Sequence, residues 1–424
     1  MKQQNTAIMS TSASTREPFK AFHIKFEDLA YWFWFFIAIE SCLTFLFFKG
    51  NPVLGTFVGY LPPTLFTLLL LSNLLISKGI KSPDVLQPMA AKFLLALILW
   101  AGTTLLWTKA SSIVSAGGYW GTMAIKVFVV LLLLCLGNVE RVALKSLQGF
   151  VWGGLAFALV ALILNPVTVD GRLGDEEFFH PNNIGNNMAI TGLCAIYLAF
   201  KPEGRILERR CYITILIVLL FTLLKSLSKT SIICFLLASL VYVICSKISV
   251  QKKINLLLLT GAAIAISSTA LSKYLDRYLN DQQGGEALTT ASGRTEIWQM
   301  TWDMIQENPI WGYGFQSYRD IVDQVIQLRL VHPHNELLNI WVNLGFVGLF
   351  LGVMTYICYY LLLRRAFKAG LPQAALGLAL LIYSLIRGLT EASIPDPIVY
   401  PTALMMLTIG WLSQVNQLSF QTRK

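Results

Sequence analysis

Long apolar runs separated by short polar segments set the pattern of this chain. Runs near the roughly 17–25 residues that cross a bilayer fall at 29–48, 53–77, 91–107, 119–137, 146–164, 184–200, 212–224, 230–246, 254–271, 336–362, 371–389 and 397–414. The pattern predicts an all-α integral membrane protein of about twelve transmembrane helices. The seventh run is short, and the second contains Pro62-Pro63, which should kink or break it. The organisation that follows is a polar N-terminal segment 1–28, nine spans over 29–271, a loop over 272–335, three spans over 336–414 and a tail 415–424. The run that begins near Leu29 is too long for a signal-peptide core and is followed by further spans, so it reads as a retained first helix.

The loop at 272–335 is the one long polar connection, and a loop of that length is usually functional. Within it Ile297, Trp298, Trp302 and Ile305 recur at helical spacing, so an amphipathic helix is expected. Ser292 or Gly293 would cap its start, Glu296 suits its first turn, and Asn308-Pro309 would end it. Such a helix either lies in the membrane interface or packs on the bundle. The following Trp311-Gly312-Tyr313-Gly314-Phe315 supplies two glycines for a tight turn.

Composition agrees with the pattern. The chain has 424 residues, 55% of them hydrophobic and 13% charged, where a soluble protein carries about 25% charged. Its formal net charge of +10 reflects topology rather than nucleic-acid binding. With the N-terminus inside, 21 of the 33 Lys and Arg residues fall in cytoplasmic segments, which places both termini in the cytoplasm and 272–335 outside. The seven cysteines lie in or beside apolar runs without a C-x-x-C, which argues against structural disulfides and a thiolate zinc site.

Basic residues on the external side are the exceptions: Arg172, Lys225, Lys229, Arg294, Arg319, Arg329 and Arg387, the last with Glu391 and Asp396 close by. Cations gathered at one face suit a phosphate-bearing lipid, although helix-end residues that snorkel give the same count. His332 and His334 flank Pro333 just before the tenth run, and the chain has only four histidines. Three readings compete there. A metal site needs further ligands, and His180 is the only other external histidine. A structural role would use Asn335 as helix cap. General acid–base work suits an imidazole that titrates near pH 6.5. Lys126 and Glu40, inside apolar runs, either pair or line a cavity.

His334-Asn335, nine residues, then Gly345-x-x-Gly348 resembles the histidine motif of bacterial O-antigen ligases and related O-antigen and exopolysaccharide polymerases. GRLGDEEFFHPN around Arg172, SLSKTS around Lys229 and SGRTEIW followed by NPIWGYGF around Arg294 resemble the same superfamily in the same order. The resemblance implies a membrane-embedded glycosyltransferase of the inner (plasma) membrane, working at its external face without metal or cofactor. It implies an undecaprenyl diphosphate-linked glycan donor and, as acceptor, another lipid-linked glycan for a polymerase or lipid A–core for a ligase. Membrane lipid and other polysaccharide export proteins are the remaining partners it suggests. By motif, His334 corresponds to the essential histidine, and Arg172, Lys229 and Arg294 to basic residues near the diphosphate, with Arg387 as a further cation. His332, Asn335, Gly345 and Gly348 would support them. Lys229 stands where many relatives have arginine, and lysine cannot form a bidentate fork. A transporter of polysaccharide precursors is the competing class, but transporters tend to carry their decisive charges near mid-membrane and to show related halves.

Overall fold

A computed structural model describes residues 25–48, 61–72, 84–168, 171–175, 179–201, 204–258, 261, 294–326, 332–392 and 400–413. The first 24 residues, most of the ninth run, residues 272–293 with the expected caps Ser292 and Gly293, and Arg329, Asp396 and the tail lie outside that set. The described residues are helical apart from connections and one isolated bridge between Val167 and Leu173. In chain order the helices are α1 Phe26–Phe48, α2 Leu61–Ser72, α3 Met89–Thr103, α4 Ile113–Leu136, α5 Val139–Leu164, α6 Pro181–Phe200, α7 Ile206–Lys225 and α8 Lys229–Cys245. They continue with α9 at 250–258, α10 Arg294–Glu307, α11 Ser317–Ile326, α12 Glu336–Lys368, α13 Gln373–Gly388 and α14 Tyr400–Leu412. Among the described residues four helices, α3 with its short 3-10 extension to Leu106, α4, α5 and α12, are long and apolar enough to cross a membrane. The break expected at Pro62-Pro63 falls at the edge of the described residues, and Leu61–Ser72 is helical from there on.

Close approach of backbones holds the bundle where polar side chains are scarce. Gly149 and Gly153 of α5, four apart and so on one face, lie against the Tyr31 and Phe35 backbone of α1, where any Cβ would collide. Helix α6 is buried along almost its whole length, and its polar residues act as joints to its neighbours. Asn187 Nδ2 donates to the Ala38 carbonyl of α1 at 2.8 Å, while Asn186 Oδ1 accepts from Tyr383 and Arg387 of α13, each at 2.8 Å. Lys126 and Glu40 pair across α4 and α1 at 2.5 Å, the first of the two readings left open by the sequence.

The amphipathic segment forms α10 and packs on the bundle. Ile305 is buried with Tyr313, Tyr318, Val322 and Val342, and Trp302 meets Trp341 edge to face. The sequence pattern did not suggest α11, ten residues long, which joins the same small core through Tyr318 and Val322.

Helix α12 is broken at Gly345, whose φ of 68° and ψ of −171° belong to a region open essentially to glycine alone. The break releases backbone groups that an apolar setting cannot leave unpaired. Each finds a partner in the turn after α10 or in α3. Tyr313 N–H donates to the Val342 carbonyl at 2.9 Å, Gly314 N–H to Asn343 at 2.8 Å, and the Trp100 indole N–H to Leu344 at 2.9 Å. Phe346 N–H donates back to the Pro309 carbonyl at 2.9 Å. Gly312 and Gly314, with φ of 64° and 96°, make the tight turn that brings this segment in. Gly345→Ala would require a left-handed alanine and would drive its Cβ into the Ile310 carbonyl. A loss of about 3 kcal/mol is expected, seen as a lower melting temperature and yield of protein purified in detergent; wild-type stability would mean that the break is not fixed by this contact.

Candidate functional site

The turn His332-Pro333-His334 lies between α10 and α12. Trp298 of α10 donates its indole N–H to the Pro333 carbonyl at 3.0 Å, and Asn335 caps α12 by accepting from Leu338 N–H at 3.1 Å. His334 itself adopts φ of 52°, a left-handed conformation uncommon for residues other than glycine, though histidine takes it more readily than most. The backbone is thereby bent so that both imidazoles face one carboxylate.

That carboxylate is Glu391, just past the end of α13, where its N–H bonds the Arg387 carbonyl at 2.8 Å. It is only 6% exposed. Its Oε2 lies 3.2 Å from His334 Nδ1 and 3.6 Å from His332 Nε2. Its Oε1 lies 3.5 Å from the Arg294 guanidinium and accepts from Asn182 Nδ2 at 3.3 Å. Asn182 in turn accepts from the Arg172 guanidinium at 2.7 Å, and Arg172 Nε donates to the Ser226 carbonyl at 3.2 Å. Thus Arg172, Arg294, His332 and His334 are brought into one cluster.

Arg387 reaches the cluster from within the bundle. It is 5% exposed and its Nε is held by Asn186, so burial gives it a supporting place behind Glu391. Lys229 opens α8 and is exposed; its neighbour Thr230 accepts from Thr390, next to Glu391, at 3.4 Å. Gly345 and Gly348 act at a distance, on the path of α12. Sequence reasoning noted Glu391 only as a neighbour of Arg387 and missed Asn182, Asn186 and Tyr383. The carboxylate was the signal available: an acid just past the end of an apolar run beside an arginine.

Electrostatics follow from burial and neighbours. Burial pushes the Glu391 carboxyl up, but the His334 hydrogen bond and the Arg387 guanidinium outweigh it and hold it at about 2. Burial first, then His334, Arg387 and Arg294, outweighs Glu391 at His332 and brings that imidazole down to about 4. His180, the cap of α6, is lowered by burial and then by Arg172.

One ligand atom from each of His332, His334 and Glu391 lies within 4.8 Å of the other two, a spacing that can enclose a metal ion. The hydrogen bonds argue for a different use. His332 Nδ1 accepts from the His334 backbone N–H at 3.1 Å, so a neutral His332 carries its proton on Nε2, the atom that faces Glu391. A metal-ligating imidazole normally has the reverse arrangement, with its second nitrogen donating. Arg294 on the same carboxylate adds a competing cation.

The fold and cluster describe a helical membrane protein with a basic, histidine-bearing site at one end of its bundle. Residues 214–353 match the model of a family described as O-antigen ligase, which supports membership of that superfamily. The match takes in Lys229, Arg294, the histidine turn and both motif glycines, while Arg172, Arg387 and Glu391 lie outside it. Comparison with curated proteins gives no match.

The shifts at His332 and Glu391 predict loss of stability in acid. Both groups titrate lower in the folded protein, so both contribute stability that is present at neutral pH and lost as protons bind. For His332 the loss runs as pH falls from about 6.5 to about 4, and for Glu391 from about 4.5 to about 2. Thermal unfolding in detergent should therefore weaken below about pH 6.5, and His332→Gln should flatten the upper part of that decline. A melting temperature constant down to pH 5 in the wild type would contradict the assignment.

Proposed function

We propose that this protein polymerises undecaprenyl diphosphate-linked oligosaccharide repeat units into surface or exopolysaccharide. It works as a twelve-span enzyme of the bacterial inner membrane, with both termini in the cytoplasm and the histidine cluster at the external face. The observation that carries the reading is the His334–Glu391 pair at 3.2 Å with Arg294 on the same carboxylate.

Glu391 accepts from Nδ1–H of His334 and leaves Nε2 with its lone pair, the orientation a general base needs. His334 then takes the proton of an acceptor hydroxyl as its oxygen bonds to the anomeric carbon, and the bond from that carbon to the diphosphate breaks. Negative charge grows on the departing diphosphate. Arg294 and Arg172 stabilise it in a poorly hydrated site, the kind of contribution that commonly dominates catalysis. Lys229 adds a point charge at the start of α8, and Arg387 holds Glu391 ionised. No metal is used, because the imidazole supplies the base and the guanidinium groups the counter-charge.

A second reading, transfer of the finished glycan to lipid A–core, is favoured by the description of the matching family. Both use the same donor chemistry, and deletion of the gene separates them. A single repeat unit on its usual anchor indicates the polymerase, and long chains stranded on the lipid carrier indicate the ligase.

His334→Ala should lower the rate of glycan transfer by about 10²–10⁴-fold with insertion in the membrane intact, measured with purified protein and lipid-linked substrate in detergent. Near-wild-type product would remove His334 from the mechanism. Glu391→Gln should be nearly as damaging, with normal donor binding, and a chelator should leave the wild-type rate unchanged. Loss of activity in the chelator, restored by a divalent cation, would instead establish a metal on the His332, His334 and Glu391 set. Arg294→Lys keeps the charge but not the fork, and full activity in that variant would exclude a bidentate phosphate contact.

A further inference from the structure

Arg319, one of the external cations seen in the sequence, has no part in the cluster around Glu391. It lines a small open cleft of about 70 Å³ between the start of α4 and the start of α11. Ser112, Ser115 and Tyr119 line one side, and Gln316, Arg319 and Asp320 the other. That volume is well below the roughly 300–1,000 Å³ of clefts that take a whole drug-sized ligand, so the cleft suits one part of a larger ligand.

The walls are tied together before any ligand arrives. Thr108 Oγ1 donates to the Phe315 carbonyl at 2.8 Å, and Lys109 N–H to Ser317 Oγ at 2.8 Å. Asp320 accepts from both the N–H and the hydroxyl of Ser111, at 2.7 and 2.9 Å. A cleft fixed in this way spends little on ordering when it binds. Gln316 is held at φ of 63°, a left-handed conformation that is unfavourable for a residue with a side chain and that clusters at functional positions.

Its chemistry differs from that of the reacting cluster. Arg319 faces Asp320 at 3.6 Å, so the charges are balanced, and the rest of the lining offers hydroxyls, an amide and one phenol ring. The groups remain accessible, with the Arg319 side chain 41% exposed and that of Asp320 21%. Balanced charge and mixed donors and acceptors suit a ligand rich in hydroxyl groups, each able to donate and accept, with a C–H face to lie on Tyr119. A pyranose ring has that description.

We propose that this cleft is a sugar subsite and that it holds a residue of the acceptor glycan. What the glycan does there rests on the transferase reading above. The subsite is joined to the site by one continuous scaffold: the turn that carries Gln316 bonds Val342 and Asn343 of α12. Those residues lie roughly 12 Å along the helix from Asn335, the cap that follows His334. The cations suited to the donor diphosphate gather around Glu391 with α6, α8 and α13, whereas the cleft is built from α4 and α11. A sugar bound here therefore belongs to the chain that brings the attacking hydroxyl.

The test uses full-length protein in detergent and, as probe, the repeat-unit oligosaccharide released from the producing strain's lipid carrier by mild acid. Binding is read by saturation-transfer NMR and titration calorimetry in the wild type, in Arg319→Ala and in Ser115→Trp, which fills the cleft from an exposed position. Both variants should weaken binding at least about tenfold and raise the acceptor KM by a similar factor, with kcat within about twofold of wild type. Unchanged binding in both variants, or none in the wild type, overturns the subsite. If binding is lost in both while His334→Ala still makes polymer, the subsite stands and the transfer mechanism falls.

Discussion

A single buried carboxylate organises one end of this bundle. Glu391 is reached by Arg294 from α10, by His332 and His334 from the turn before α12, and by Asn182 from the start of α6. A carboxylate taken out of water is costly unless it is paired and hydrogen-bonded, and here every approach comes from a different part of the chain. The cost of isolating Glu391 therefore acts as a constraint on geometry. If one partner moves, the others must satisfy the charge, so the carboxylate adds a polar constraint on register to the apolar packing of these segments.

The second constraint is the interruption of α12. An unbroken helix would leave the turn after α10 without a dock, because its carbonyls would already be bonded along the helix. Breaking the ladder at Gly345 exposes three successive carbonyls, and the 309–314 turn and Trp100 take them up. The same docking fixes α10, whose Trp298 holds the Pro333 carbonyl. A backbone defect at Gly345, well past the helix cap Asn335, thus sets where the imidazoles point.

Much of this was legible in the sequence, for reasons that are local. Helical apolar runs, the span of α10, the cap at Asn335 and the glycine turn at 311–315 each depend on neighbours within a few residues. The clustering of Arg172, Arg294, His332 and His334 was anticipated from charges at one face and from motifs in order. What was missed depends on pairing across the chain. Glu391 is one acid among several near span ends, and only the fold reveals that three basic side chains converge on it. Asn182 and Asn186 sit at the entrance of a run that reads as an ordinary span, and their roles come from α13 and the Arg172 loop. The short α11 lacks an apolar face long enough to announce itself and is held by Tyr318 and Val322 against α10 and α12.

Charge balance links the site to its proposed chemistry. Arg294 pairs with the Glu391 carboxylate directly, Arg172 reaches it through Asn182, and Arg387 lies buried behind it, while burial keeps His332 neutral. Guanidinium groups do not lose their protons, so their charge cannot be relieved by titration. In the proposed reaction a diphosphate would meet it, with the paired oxygens that guanidinium forks fit. In the proposed mechanism Glu391 stands between the imidazoles and the cations, which would otherwise work against a proton arriving on His334. Glu391 offsets part of that field at Nδ1 and leaves the remainder for the leaving group. A site with its charges divided in this way is suited to moving a proton and a diphosphate in opposite directions at one place. Passage of a glycan across the membrane requires neither.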